Sequence, residues 1–248
     1  MYDPSLLAFA SAVLLLAGTV KGFIGLGMPT VALVLLTFQL DARSAVTLIL
    51  IPMLLSNVWQ FWRGPDMVGC AKQHWRYAAI LILCVAGTVW FSQSAPDRVL
   101  RAVLGVFVLV FCFFSWRDMV PPIPSHRVRL FEGVSAVVAG LVGGLTAAWA
   151  PPLAMYLTGL RLERDAFIQA LGFLITAGSV SILAMFIAVG HSSPTDLALS
   201  AFLLVPTLIG FSAGERLRHR TNSKDFKGYF LGAFSLLGAN LLLGILWG

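Results

Sequence analysis

GTVKGFIGLGMP, residues Gly18 to Pro29, interrupts an apolar run that extends from Leu6 to Leu40. Gly22, Gly25 and Gly27 add backbone entropy that a helix must overcome, and Pro29 removes an amide donor. Lys21 places a formal charge in the same interruption. Within hydrocarbon, a broken backbone persists only where protein or a water-filled cavity satisfies its polar groups. A charged, glycine-rich break inside a membrane segment is therefore a candidate binding site.

The composition supports a membrane setting. Of 248 residues, 58% are hydrophobic and 11% charged, against about 25% charged in a soluble domain. Apolar segments at 6–20, 30–40, 44–62, 75–91, 99–116, 131–149, 153–160, 166–189, 197–211 and 226–247 are separated by short charged loops. That is the pattern of a polytopic helical membrane protein. The opening MYDPS has no Lys or Arg, so the first apolar run reads as part of the fold and not as a signal peptide. Cys70, Cys84 and Cys112 lack metal-ligand spacing. The net charge of +6 sits in loops, and no basic patch interleaved with aromatics points to nucleic acid.

The break has a second copy. Laying Gly18-Thr19-Val20-Lys21-Gly22 on Gly140-Leu141-Val142-Gly143-Gly144 brings Pro29 onto Pro151, Leu40-Asp41 onto Leu162-Glu163 and Asn57 onto Ser179. Farther on, Gly87 falls on Gly210, and Gly105 on Gly232. The segments flanking each break are shorter than the roughly 20 residues a span needs, which predicts half-helices or a tilted hairpin. The predicted architecture is all-α, two repeats at 1–116 and 131–248, each a broken helical hairpin followed by three transmembrane helices. A Pro-rich linker at 117–130, with Pro121 to Pro124 reading PPIP, joins them.

Loop charges orient the two copies. Loops 63–76, 117–130 and 212–227 are rich in Lys and Arg, which predicts a cytoplasmic location. Loop 190–196 has none and 92–100 has only Arg98, so both are predicted to be external. Equivalent loops thus carry opposite bias, and the copies read as inverted repeats, a recurrent plan of secondary transporters.

Every Asp, Glu and His falls in a loop or at a segment edge by this reading, Glu132 and His74 among them. That counts against a metal centre, a catalytic carboxylate cluster and a cation carrier. Lys21 is then the ionisable group inside an apolar region, which favours an anionic ligand. Gly22, Gly25, Gly27, Gly143 and Gly144 open the backbone to it, and helices restarting at 28–30 and 150–153 offer unpaired amides at a positive dipole end. Asn57, Gln169, Thr176 and Ser179 supply polar groups on neighbouring spans, and Trp59 and Trp149 are candidate aromatic walls.

GTVKGFIGLGMPTVALVLL at 18–36 and AGLVGGLTAAWAPPLAMYL at 139–157 resemble the TauE/SafE sulfite exporter family, also called the toluenesulfonate uptake permease group. The likeness covers essentially the whole chain. The family's glycine motif falls on Gly22, Gly25, Gly27 and Pro29, and on Gly140, Gly143, Gly144 and Pro151; the second copy departs from it in TAAWAPP, where Trp149 stands. The resemblance implies a multi-pass permease of the bacterial inner membrane for sulfite, organosulfonates or related small anions. The residues offer no catalytic His or carboxylate cluster, so no cofactor and no enzymatic activity are expected; the expected partners are the anion and the lipid bilayer, with a homodimer as an open assembly. An anion channel of the same architecture is the alternative reading, and a membrane enzyme or assembly subunit a third.

Overall fold

The structure is a computed structural model that describes residues 3–25, 27–117 and 121–218, with 232, 235, 236, 238, 239, 242 and 243. Among them every regular element is helical: α1 Pro4–Ile24, α2 Met28–Leu36, α3 Ala42–Trp62, α4 Met67–Phe91, α5 Asp97–Arg117, α6 Val128–Thr146, α7 Ala150–Gly159, α8 Arg164–Ala188 and α9 Pro194–Arg218. A short 3-10 turn, Ser125–Arg127, precedes α6. Among the described residues, α1, α3, α4, α6, α8 and α9 are long and apolar enough to cross a membrane. α2 has 9 residues and α7 has 10. At about 1.5 Å per residue each covers roughly half of a bilayer core of about 30 Å. The basic tail of loop 212–227 and most of the last apolar segment, 226–247, lie outside the described residues.

The chain forms two compact units that each draw on both sequence halves: residues 1–52, 95–118 and 191–248 in one, 53–94 and 119–190 in the other. α3 passes from the first to the second at Pro52. Proline has no N–H to give the Leu48 carbonyl. Ser200 on α9 replaces it, its hydroxyl donating to Leu48 O (2.9 Å) while accepting the Ile51 N–H (3.1 Å).

In the first unit α1 lies against α9. A Cβ added at Gly18 or Gly22 would fall on the Thr207 or Phe211 carbonyl, and one at Gly210 or Gly214 on that of Leu15 or Thr19. Small residues let two backbones meet, which is how helices associate in a solvent as apolar as themselves. At the end of α2, Arg101 on α5 donates to Thr37 O (2.6 Å) and Leu40 O (2.9 Å) and pairs with Asp97. A cation at a helix C-terminus complements its dipole.

In the second unit α6 lies against α4. A Cβ on Gly140 would meet Cys84, and one on Gly144 would meet Thr88. α8 packs on α4 too, with Ser181 donating to Ile82 O (3.0 Å). The linker folds back on α7, where Ile123 N–H donates to Gly159 O (2.8 Å).

Two expectations are corrected. The helix break is narrower than the glycine motif: α1 runs unbroken through Gly18, Lys21 and Gly22, and α6 through Gly140, Gly143 and Gly144. Those glycines serve close approach within helices, and the breaks begin only after Ile24 in α1 and after Thr146 in α6. Nor do all ionisable groups keep to loops. Asp66 accepts the Gly69 N–H (2.9 Å) and starts α4 at Met67, so His74 lies inside the helix and is buried (2 % exposed). Glu132 is likewise inside α6 and buried (8 %).

Candidate functional site

The first break is made by two left-handed glycines. Gly25 caps α1 at φ 94° and donates to Lys21 O (2.7 Å), and Gly27 precedes α2 at φ 95°. Both φ values cost an L-residue strain that glycine avoids. No side chain caps α2 at Gly27, and Pro29 carries no N–H. Val31 N–H is taken by Gly27 O (3.0 Å). Met28 and Thr30, both buried, therefore hold the amides that the helix itself leaves without acceptors. Lys21 is 2 % exposed, so its amine does not run along the outer surface to water. Gly22 looks the other way, onto α9.

The second break is built differently. Ala147 adopts φ 53° and donates to Gly143 O (2.7 Å). Ala148 N–H goes to Thr146 Oγ1 (3.3 Å) and Leu153 N–H to Trp149 O (3.4 Å). Pro151 and Pro152 have no N–H, which leaves Ala150 alone to supply an amide. The open helix end expected at 150–153 is thus largely closed. In its place stands Trp149, 1 % exposed, whose indole Nε1 is buried with no hydrogen-bond partner. Gly143 and Gly178 make room for the ring: a Cβ on Gly178 would stand 3.3 Å from Cε2.

α8 links this indole to the polar layer. Asn57 is buried, and its Nδ2 donates to Met53 O (2.6 Å). The Asn57 backbone carbonyl stands 3.0 Å from where Gly172 would carry a Cβ. Thr176 donates to Gly172 O (2.7 Å) and Ser179 to Ile175 O (2.7 Å), so each hydroxyl spends its proton on its own helix and keeps a lone pair. Gly172 and Gly178 are about 9 Å apart along the helix axis at 1.5 Å per residue. Asn57, Thr176, Ser179 and Trp149 thus flank one stretch of α8.

The other candidates have different duties. Gln169 holds the α3–α4 turn, accepting from Asp66 N–H (3.2 Å) and donating to Phe61 O (3.2 Å). Gly144 packs on Thr88. Trp59 is 45 % exposed, edge-on to Trp62 at 5.7 Å, with the Arg63 guanidinium 5.7 Å from its ring centre. It lies on the outer surface of α3.

The family model for the sulfite exporter TauE/SafE matches residues 10–241. The chain belongs to the TauE/SafE family. No curated protein and no solved structure matches it. As a TauE/SafE protein with six described membrane-length helices, it is a multi-pass membrane transporter of the sulfite and sulfonate type.

Sequence reading passed over a second polar group in α4 and α6. Tyr77 OH is 2.9 Å from Ser135 Oγ, which donates to Pro152 O (2.8 Å). Tyr156 stacks on Tyr77 with ring centres 5.1 Å apart. The cap at Asp66 was the available signal: it extends α4 backward over a stretch whose hydropathy alone reads as loop.

Proposed function

We propose that this protein carries a small sulfur-containing anion, sulfite or an organosulfonate, by alternating access between two inverted repeats. The carrying observation is the buried, unpartnered Nε1–H of Trp149 at the second break. An unsatisfied buried donor costs about 1–3 kcal/mol, a cost that an arriving acceptor relieves. An anion oxygen is such an acceptor. In the first unit the buried amine of Lys21 and the open amides of Met28 and Thr30 favour the same charge.

The repeat is supported by its seams. With Gly18 and Gly22 laid on Gly140 and Gly144, and Gly87 on Gly210, the contact of Gly22 with Phe211 becomes that of Gly144 with Thr88. The contact of Gly18 with Thr207 becomes that of Gly140 with Cys84. Each hairpin's first helix therefore meets the fourth helix of the other copy. Inversion in a bacterial inner membrane would put Ser193 outside and Ser125 in the cytoplasm. In a cysteine-free background, Ser193→Cys and Ser125→Cys label from opposite faces of intact cells; labelling from one face removes the inversion.

The transport reading is tested by thermal stabilisation of the detergent-purified protein against sulfite, thiosulfate, sulfoacetate, taurine, an aromatic sulfonate, sulfate and acetate. A ligand that binds only the folded state raises apparent stability. A shift selective for one sulfur anion is expected. Trp149→Phe and Lys21→Ala each weaken that affinity about tenfold or more, since a hydrogen bond to a charged group contributes roughly 1.5–3 kcal/mol. Unchanged affinity in both variants would take the two breaks out of the anion's path.

A further inference from the structure

α4 and α6 run in the same direction in the second unit, for Gly140 meets Cys84 and Gly144 meets Thr88. At the opposite end of this seam Tyr77 and Ser135 touch across 58 positions. His74 and Glu132 are separated by the same 58 positions, so they occupy one layer, one turn before the bonded pair. Residues three apart share a helix face, which places His74 with Tyr77 on α4 and Glu132 with Ser135 on α6. Both are buried, and His74 Nδ1 has no hydrogen-bond partner.

The neighbouring elements bring little charge. α7 contributes Tyr156 to this layer. α8, packed on α4, keeps its ionisable Arg164 and Asp165 in its exposed first turn. On α4 itself Lys72 and Arg76 are exposed, as are His126, Arg127 and Arg129 beside the start of α6. No described Lys or Arg is buried with Glu132. Two buried titratable side chains in one layer, without a buried cation beside them, are the chemistry of a proton site, since each is costly to keep ionised and a proton on either relieves that cost.

We propose that His74 and Glu132 together form the binding site for a coupling proton, and that Tyr77 and Ser135 connect it to the second break. One proton enters from one side of the membrane, resides on the imidazole or the carboxyl, and leaves to the other side in each cycle. No bond other than N–H or O–H forms or breaks. The connection is the hydrogen-bonded run from Tyr77 OH through Ser135 Oγ to Pro152 O, in the first turn of α7. Trp149 caps that turn, so a change of charge in the His74 layer has a physical route to the anion donor. This inference rests on the transport reading above, and its test separates the two.

Purified full-length protein in liposomes is assayed for uptake of the sulfur anion that gives the largest thermal shift. Two protocols are run: counterflow without a pH gradient, and net uptake driven by an imposed pH gradient. An entrapped pH-sensitive dye follows proton movement in the wild-type protein. The expected result is anion-dependent proton movement. Glu132→Gln and His74→Gln are expected to lose gradient-driven uptake about tenfold or more, the scale of a strong coupling between two sites, while counterflow persists. Ser135→Ala, which removes the connection without removing a titrating group, gives the same pattern more weakly. Wild-type counterflow with no proton movement overturns the coupling site and leaves the transport reading intact. Gradient-driven uptake that survives in both titrating variants overturns it as well. No counterflow in the wild type overturns the transport reading and the coupling site together.

Discussion

α1 and α9 are joined by glycines from both sides, whereas α4 and α6 are joined by glycines from one. Gly18 and Gly22 have their counterparts in Gly140 and Gly144, and all four would crowd the facing helix if they bore a Cβ. The facing helices differ. Gly210 and Gly214 on α9 press back on the Leu15 and Thr19 carbonyls, but Gly87, the counterpart of Gly210, meets nothing within 4 Å. Phe91 stands where α9 has Gly214, and it projects outward, 87 % exposed. A phenyl group cannot lie between two touching backbones. The seam therefore opens into a cleft of ≈ 410 Å³ lined by Cys84, Gly87, Thr88, Phe91, Ser92 and Leu141. Thr88 Oγ1 remains buried there without a partner. Under the proposed repeat, one plan yields a closed seam and a half-open one, and Phe91 in the place of Gly214 accompanies the opening.

The largest effect should come from filling the closed seam. Gly22→Val places a branched side chain against the Phe211 carbonyl, and overpacking of this kind costs about 1–3 kcal/mol and occasionally more. Gly87→Ala on the open side meets no atom and gains the helix propensity that glycine forfeits, about 1 kcal/mol. Thermal denaturation in detergent, followed by size-exclusion fluorescence, should show a large loss for the first and none for the second. Equal tolerance of both would dissolve the contrast between the seams.

The two breaks differ in the same spirit, at smaller scale. The first reaches left-handed backbone with Gly25 and Gly27, the second with Ala147 at φ 53°. For an L-residue that region costs roughly 1–2 kcal/mol. Gly25→Ala is therefore expected to lower stability by about that amount, and Ala147→Gly to leave it level or raise it. If Ala147→Gly costs as much as Gly25→Ala, the second break is held by contacts of the alanine methyl and not by its backbone.

Much of this was legible in the chain. Hydropathy and loop composition foretell the helical spans, and the glycines with Pro29 and Pro151 foretell two short helices after two breaks. The limits of the breaks were not legible, because a glycine that lets α9 approach and one that turns the chain look alike in one dimension. Gly22 and Gly25 are the example: three positions apart, one sits inside α1 and the other ends it. His74 escaped for a related reason. Lys72, Gln73 and Arg76 are exposed in the first turns of α4, so mean hydropathy reads the stretch before Trp75 as loop although His74 is buried. Trp149 stood out in the sequence as an aromatic candidate, but its unpaired N–H is a property of packing that no local pattern encodes.

The smallest difference lies at the turns into α3 and α8, where the proposed repeat lays Asp41 on Glu163. Asp41 accepts the amides of Arg43 (3.0 Å) and Ser44 (3.0 Å), while Glu163 makes no side-chain cap for α8. Burial alone would raise the Asp41 carboxyl, but the Ser44 hydroxyl and the amides of Ser44 and Arg43 outweigh it and hold it below the usual carboxylate range. A lowered folded-state value means the cap stabilises fully above the unfolded value of about 3.9 and loses that contribution as pH falls through the folded one. Asp41→Ala should therefore cost about 1 kcal/mol near neutral pH, the usual loss for an N-cap, and Glu163→Ala close to nothing. Below about pH 4 the gap between wild type and Asp41→Ala should shrink as the carboxylate is protonated. A pH-independent gap at Asp41 would assign its role to packing in the turn and make the two turns alike.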